Sequence, residues 1–427
     1  MTEAKDYETE LSPLLQRRQS HTSLNEESLA SNTETTINLI KTCMGTGCLA
    51  LPFACQQGGI VLFIIGLFAV GAWNVYSVHR LVQCLSCFPK SRQLSDATSS
   101  TTRINSAQEP QIPPEGIAVM SQVTWIAFGP LGVQVLDGIM MVLFFGVITA
   151  YYCAVLTFLG DTPLSLGRIF DSGLTCIILT VLSLVPHVGA LKYASALGMI
   201  VLSLTFGVIF VYGYSGNNKE GATLNMWPSS IDGLSQWFGV IVFGFGIVPM
   251  TYNYRSSMQR PEDIVKVTLH AMFGTACSYT IIGWGLYALF PSLQGDVLSE
   301  LPRHGVFPIA TRLAMVTVVL MTAPFLIVPC AELLEGKWQH AGRLFTRLTI
   351  CGVSCTLAIL FPHFVQALSL VGSTCVAAVS FCVPALLHWK LVRGQSEQEY
   401  KRLAKVDLFM FILGIVLTAI STYVLLS

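Results

Sequence analysis

Charge is scarce in this sequence. Asp, Glu, Lys and Arg make up 11% of the 427 residues, whereas hydrophobic residues make up 53%. A soluble domain has roughly a quarter of its residues charged, so this composition excludes an ordinary soluble fold and indicates a polytopic membrane protein. The 24 basic and 24 acidic residues cancel, and the chain has no basic tract, which argues against nucleic acid as a partner.

The motifs of the common enzyme classes are also missing. The chain has no nucleophile elbow, HExxH, Walker loop or haem signature, and no paired intramembrane acids of the protease type. We therefore expect no enzymatic activity, no metal site and no cofactor. All 13 cysteines fall in predicted helices or at their ends, so a disulfide framework is not expected.

Long apolar runs dominate the sequence instead. About 20 apolar residues cross the ~30 Å hydrocarbon core of a bilayer. Eleven such runs can be placed, at 34–57, 60–86, 131–159, 172–188, 190–213, 232–254, 264–290, 306–334, 344–360, 363–389 and 406–426. The sequence therefore predicts an all-α membrane protein with eleven transmembrane helices.

The distribution of basic residues predicts the orientation, because cytosolic loops retain Lys and Arg. With a cytosolic N-terminus, the opposite side holds only four of the 24 basic residues, Arg168, Lys219, Arg303 and Arg312. The bias supports a cytosolic N-terminus and a C-terminus on the far side. Arg312 falls at a predicted helix end, where we expect it to be an interfacial anchor.

Two hydrophilic stretches lie outside the predicted helices. Residues 1–33 are rich in Ser, Thr and Glu and are expected to form a disordered cytosolic tail, and about 88–115 is expected to be a cytosolic loop. In the tail, Glu10 precedes Leu14 and Leu15 in the spacing of an acidic dileucine motif. This pattern, if not a chance match, predicts binding to a clathrin adaptor and sorting to a lysosomal or vacuolar membrane rather than to the plasma membrane.

Two of the apolar runs are interrupted at mid-depth, the first at residues 45–47 and the sixth at 243–246, and a proline follows each break. Unwound backbone in hydrocarbon costs several kcal/mol for each unsatisfied group, so it usually lines a cavity. If helices 1–5 (34–213) and 6–10 (232–389) are two repeats, their odd number inverts the second, and helix 11 (406–426) lies outside them. The breaks then occupy corresponding positions and predict a midplane solute site.

The residues of the two breaks are the candidates for substrate binding: Gly45, Thr46, Gly47, Phe243, Gly244, Phe245 and Gly246. The first three would offer amides to a carboxylate, and the other four would offer carbonyls to an ammonium group and an aromatic wall. The alternative is that the glycines only permit close helix packing.

Helix 1 resembles a known family. Lys41-x-x-x-Gly45-Thr46-Gly47-x-Leu49-x-Leu51-Pro52, followed by Gly58-Gly59, resembles helix 1 of the amino acid/auxin permease family. Further motifs of that family occur in the same order at 127–132, 322–324 and 371–373, so the resemblance covers nearly the whole chain from about residue 34. It implies a fold of the leucine-transporter type, with a 5+5 inverted repeat, and amino acids as substrates.

The same resemblance bears on the coupling ion. In the sodium-coupled members an Asn occupies the position of Lys41, and an ammonium group there should repel sodium, as is typical of the proton-coupled members. However, the His residues of the proton-coupled members align with Asn38 and Val248 here. The coupling ion therefore stays open between proton and sodium.

Three residues are candidates for ion coupling: Lys41, Thr322 and Asp137. A charge within a span is costly and normally faces a cavity or a partner, so Lys41 would replace a cation or titrate, with Thr322 facing the same site. Asp137 would pair with Lys41 or relay a proton. The alternatives are that Lys41 reaches the cytosolic interface, that Thr322 is bonded within its helix, and that Asp137 lies near the cytosolic mouth.

Together, the residues and the resemblance predict a secondary active transporter of neutral amino acids, sodium-independent and proton-influenced, that works by alternating access in a lipid bilayer. Two alternatives remain at this point. One is a sodium-coupled neutral amino acid transporter, and the other is an amino acid sensor that signals through residues 1–33.

Overall fold

The computed structural model describes residues 29–86, 118–184, 188–216, 224–337, 342–361, 363–393 and 398–427. Within these residues the chain is helical, and the only β pairing is one isolated bridge between Ala30 and Met258. The fifteen α-helices are α1 Asn32–Cys43, α2 Leu51–Gly58, α3 Ile60–Ser86, α4 Val119–Gly160, α5 Arg168–Leu184, α6 Val188–Ser215, α7 Ile231–Gly244, α8 Thr251–Ser256, α9 Ile264–Leu289, α10 Val306–Thr322, α11 Pro324–Lys337, α12 Arg343–Leu360, α13 Phe364–Val371, α14 Val383–Val392 and α15 Gln398–Leu426. The sorting residues Glu10, Leu14 and Leu15 and the predicted loop at 88–115 lie outside the described residues.

Eight helical stretches of the described chain are long and apolar enough to cross a membrane, and the number is nine if α1 and α2, bent by 54° at their break, count as one span. The predicted total of eleven is therefore reached only in part. The other two predicted spans correspond to α5, which is short at 17 residues, and to α9, which is long at 26 residues but less apolar.

The first helix begins earlier than predicted, at Asn32, because Ser31 and Glu34 form a capping box. The Ser31 hydroxyl accepts from the Glu34 amide, and the Glu34 carboxylate accepts from the Ser31 amide. The chain before this cap is also held in place, since the Ala30 amide donates to the Ser257 carbonyl at 2.8 Å. This pairing ties the start of α1 to the segment after α8.

The long helix α4 contains a break at Gly129, whose φ of 69° lies in the left-handed region. Pro130 follows and has no amide hydrogen to donate, so the helical ladder is interrupted at this point. The break separates a segment at 119–128 from the rest of α4. The break at 129–130 lies directly before residue 131, where the apolar run at 131–159 was predicted to begin.

The core of the molecule lies where α2, α7, α9 and α13 pack together. The α7 and α13 backbones approach so closely that a Cβ atom on Gly372 would lie 2.0 Å from the Gly239 carbonyl oxygen. Only glycine fits such a crossing. By contrast, α15 is peripheral, with 11% of its apolar stretch buried. Residues at both helix breaks, among them Cys43, Phe245 and Ile247, belong to this buried core.

Candidate functional site

The first break lies between α1 and a 3₁₀ turn at Thr46–Ala50. Met44 (φ −78°, ψ 74°) forms a tight turn in which the Gly45 amide donates to the Cys43 carbonyl at 2.9 Å. No backbone oxygen of the described chain accepts from the Thr46 or Gly47 amide. These two amides lie at the N-terminus of the second helical segment, the 3₁₀ turn that leads into α2, where the helix dipole favours negative charge.

The second break follows α7 at Gly244. The Phe245 amide is shared between the Ile241 and Val242 carbonyls, at 3.3 and 3.2 Å. The Ile247 amide then donates to the Phe245 carbonyl at 2.8 Å, which repeats the tight turn of the first break. A 3₁₀ turn at Val248–Met250 leads into α8.

The two breaks meet at one side chain, Tyr279 of α9. Its hydroxyl oxygen lies 2.6 Å from the Cys43 carbonyl and 3.0 Å from the Gly244 carbonyl. Nearby, a Cβ atom on Gly47 would lie 3.2 Å from the Phe243 ring. The structure therefore brings the residues predicted from two distant segments together at one junction.

Some residues at this junction are tightly packed, and others lie beside open space. The Phe245 ring is fully buried and packs edge-on against Tyr279, with 5.4 Å between ring centroids. Phe243 is only half-buried beside Gly47. At Gly45, a Cβ atom would meet no other atom within 4 Å. The Thr46 and Gly47 amides, which have no backbone acceptor in the described chain, follow Gly45 directly.

The predicted ion-coupling residues occupy three different helices. Lys41 is half-buried on α1, which packs against α9. Asp137 is half-buried on α4, and among the described residues no ion pair joins it to Lys41. The Thr322 hydroxyl donates to the Val318 and Val319 carbonyls of its own helix. In the part of the chain that the structure describes, no hydrogen bond or ion pair joins any two of these three side chains.

The span that contains Thr322 is also interrupted, between α10 and α11. Thr322 is the last residue of α10, and Pro324 begins α11. Pro324 has no amide hydrogen to donate, so the helical hydrogen-bond ladder is interrupted between α10 and α11.

A cavity of about 650 Å³ opens on the face opposite residue 29, a volume in the range of small-molecule sites. It lies among the ends of α2, α4, α5, α7, α9 and α13. Its charged and titratable lining residues are Asp161, Arg168, Asp232, Asp296, Glu300, Arg303 and His363. Side chains of both signs therefore surround this cavity, as a zwitterion would require.

The loop between α9 and α10 binds two charged side chains on this face, Asp161 and Arg312. Arg303 forms an ion pair with Asp161, with 3.3 Å between Nε and Oδ1. Arg312 is not an interfacial anchor as predicted, because its guanidinium group is buried and donates to backbone carbonyls of the loop, namely Leu298, Leu301 and Pro302. The loop supplies the acceptors that water would have supplied at an interface.

Asp296 caps a short 3₁₀ turn, Val297–Glu300, in the same loop. Its carboxylate accepts from the Ser299 amide at 3.1 Å and from the Ser299 hydroxyl at 3.0 Å. The side chain is only 3% exposed. Burial raises the pKa of Asp296 to about 6, in spite of the two hydrogen bonds.

On the face that carries residue 29, hydrogen bonds of side chains, to one another and to backbone, connect the ends of α1, α3 and α8 and the start of α9. The Asn32 side-chain amide donates to Asp263 at 3.0 Å, the Thr42 and Tyr254 hydroxyls bond to each other, and the Tyr252 hydroxyl donates to the α3 backbone at 2.8 Å. These bonds join the helix ends on the face of residue 29, whereas the cavity of about 650 Å³ lies on the opposite face.

A buried polar cluster lies apart from the junction, where α3, α14 and α15 meet. Asp407 is fully buried, and its carboxylate lies 2.8 Å from the Arg80 Nε atom and 2.6 Å from the His388 Nδ1 atom. The contact between Arg80 and Asp407 is an ion pair by distance but is not aligned as a hydrogen bond at Nε. Sequence reasoning overlooked this cluster, although charges inside two apolar runs were a signal for it.

Comparisons with known proteins agree with this architecture. Residues 29–427 match the family model described as transmembrane amino acid transporter protein. The chain is 24% identical to the amino acid transporter ANT1 of Arabidopsis thaliana, covering 90% of each chain. It is 23% identical to the vacuolar amino acid transporter 5 of Schizosaccharomyces pombe, covering 83% of each chain, and 23% identical to the amino acid transporter AVT3B of Arabidopsis thaliana, covering 92% of this chain and 93% of that one.

Proposed function

The chain belongs to the transmembrane amino acid transporter family, and from this premise we propose that it is a sodium-independent, proton-influenced secondary active transporter of neutral amino acids. Membership confirms the predicted family, the multi-pass membrane architecture and the absence of an enzymatic role, because the relatives are named transporters. The ion and the substrate class are the proposed parts.

The observation that carries the proposal is the junction of the two helix breaks. The Thr46 and Gly47 amides stand beside open space at Gly45, at the positive end of a half-helix. A substrate carboxylate would bind these amides, and its ammonium group would bind unwound carbonyls. Alternating access would then expose this site first to one face and then to the other.

The neutral substrate class follows from the side chains around the junction. Phe243 and Leu368 stand next to Gly47, and Val376 stands next to Gly246. None of these three can pair with a charged substrate side chain. A substrate whose only charges are its amino and carboxyl groups fits this surrounding, because an unpaired buried charge is costly.

Sodium independence and proton influence are supported by Lys41 and by the opposite-face cavity. A lysine at the position where the sodium-coupled members have an Asn would repel sodium. The cavity is lined by four carboxylates, and burial raises the pKa of one of them, Asp296, to about 6. We propose that the eleven-helix, leucine-transporter-type 5+5 arrangement, with N-terminus in the cytosol, positions these groups.

The proposed location is a lysosomal or vacuolar membrane. One relative is named a vacuolar amino acid transporter, and the acidic dileucine motif of Glu10, Leu14 and Leu15 supports the same subcellular location. In that orientation the cavity faces an acidic lumen. A proton gradient would drive amino acid export to the cytosol.

The proposal is tested by uptake of radiolabelled amino acids into proteoliposomes across a panel of neutral, acidic and basic substrates. We expect neutral amino acids to be taken up without sodium, at a rate that changes when an inward pH gradient is imposed. Flux that requires sodium at constant pH would overturn the ion assignment. Substrate binding without any flux would instead favour a sensor.

A further inference from the structure

Tyr279 is the one side chain in the described residues that hydrogen-bonds to the ends of both α1 and α7. The Cys43 carbonyl belongs to the last turn of α1, and the Gly244 carbonyl belongs to the last turn of α7. The Tyr279 hydroxyl reaches them at 2.6 Å and 3.0 Å. Two segments that are about 200 residues apart in the chain thus share one donor.

The hydroxyl is held firmly in this position. Tyr279 is completely buried, and its ring packs against Phe245. A Cβ atom on Gly244 would lie 2.9 Å from the Tyr279 ring, so the close approach of ring and carbonyl depends on glycine at this position.

The two acceptors have a common electrostatic character. The last carbonyls of a helix have no intrahelical donor and carry the partial negative charge of the helix dipole. In transporters with broken helices, such carbonyl ends at bilayer depth are the groups that coordinate a coupling cation. Two of them converge here, and although the Cys43 carbonyl also accepts from the Gly45 amide at 2.9 Å, the partial negative charges of the two carbonyls would repel each other without a positive group between them.

We infer that the Tyr279 hydroxyl is a built-in substitute for a coupling cation, whose single hydrogen is shared by the Cys43 and Gly244 carbonyls and holds the two half-helices in register. This inference rests on the proposed sodium-independent transport and adds a positioning residue to it. Lys41 does not fill this position, because no hydrogen bond or ion pair joins its ammonium group to either carbonyl in the described chain.

The substitution Tyr279→Phe tests the inference, because it keeps the ring and its packing and removes only the donor. The two carbonyls would then attract a monovalent cation of the size of sodium. We expect the melting temperature of the purified variant, measured without substrate, to be lower in choline chloride than in sodium chloride. The wild-type protein should melt at the same temperature in both salts.

Tyr287→Phe is the matched control. Tyr287 lies on the same helix and is equally buried, but its hydroxyl accepts from the Asn225 amide, away from the breaks. This variant should melt at the same temperature in both salts. In proteoliposomes, Tyr279→Phe should lower uptake in choline chloride about tenfold, since a donor lost from buried acceptors has an effect of that order, and sodium chloride should restore part of it.

Tyr279→Phe that melts and transports like the wild-type protein in both salts would overturn the inference. If this variant cannot be purified in a folded form, Gly244→Ala replaces it, because the added methyl group would displace the ring and its hydroxyl. An intact Gly244→Ala protein without salt-dependent melting would equally overturn the inference. Absence of uptake by the wild-type protein would refute the proposed function instead, and the melting experiment would still decide the role of Tyr279.

Discussion

The Nδ1 atom of His388 lies 2.6 Å from the Oδ2 atom of Asp407, and both side chains are buried where α14 packs on α15. The other carboxylate oxygen lies 2.8 Å from the Arg80 Nε atom and accepts from the Tyr76 hydroxyl at 2.5 Å. One carboxylate therefore links the peripheral last helix to α3 and α14.

We expect Asp407→Asn to destabilise the protein by about 3 to 5 kcal/mol, because it leaves the Arg80 charge buried without a counter-charge. Thermal melting of the detergent-solubilised variant measures this effect. The control is Asp232→Asn, at an exposed position at the start of α7, which should melt within about 0.5 kcal/mol of the wild-type protein. Equal melting of both variants would show that the cluster does not stabilise the helices.

The pKa of Asp296 predicts a pH dependence. Burial raises it to about 6, from roughly 3.9 in an unfolded chain. Because the folded protein binds this proton more tightly, the stabilising contribution is fully present below a pH of about 3.9 and is lost as the pH rises through about 6. The shift of about two pKa units corresponds to about 3 kcal/mol.

Melting curves between about pH 4 and pH 7 test this prediction when wild-type protein and Asp296→Asn are compared. The asparagine stays neutral and can still cap the turn, so the variant should lose less stability than the wild-type protein as the pH rises. Identical pH profiles for the two proteins would contradict a raised pKa at this position.

Gly45→Leu should abolish amino acid binding while the protein still folds and inserts. The Gly45 backbone (φ −108°, ψ −165°) is accessible to any residue, and no atom lies within 4 Å of an added Cβ, so the leucine would enter the space proposed for the substrate. Gly207→Leu is the control, since it adds the same side chain to open space on α6. Substrate binding by both proteins, measured by scintillation proximity, would show that the break serves packing alone.

Lys41→Ala should change the response of uptake to pH, because the half-buried ammonium group stands in α1 just before the first break. Lys266→Ala removes an exposed lysine that pairs with Asp263, and should leave that response unchanged. Uptake is measured for both variants with and without a pH gradient. If Lys41→Ala keeps the wild-type response, the lysine is an interfacial side chain.

The double substitution Leu14→Ala with Leu15→Ala should move a tagged protein from an acidic compartment to the plasma membrane, because it removes the two leucines that an adaptor would bind. Fluorescence microscopy with organelle markers measures the location. Unchanged uptake in isolated membranes would be the control for folding. A double variant that stays in the compartment of the parent would show that the motif is a chance match.

Composition and local pattern alone were sufficient for the class of this protein. Apolar runs of bilayer length predicted the eight or nine spans found in the described residues, although eleven were expected, and the glycines at 45–47 and 244–246 predicted both helix breaks. These features are local: a glycine or proline weakens the helix in which it stands, whatever it packs against. The order of four short motifs also identified the family correctly.

Tertiary structure alone decided which residues meet. Nothing in the sequence near Tyr279 or Asp407 indicates that one bridges residues 43 and 244 or that the other pairs with residue 80. Likewise, Arg312 was predicted to be an interfacial anchor at a helix end, but a loop folds over it and supplies carbonyls in place of water. The physical reason is that hydrogen bonds and ion pairs in a bilayer form between distant segments, whose spacing and orientation depend on how whole helices pack.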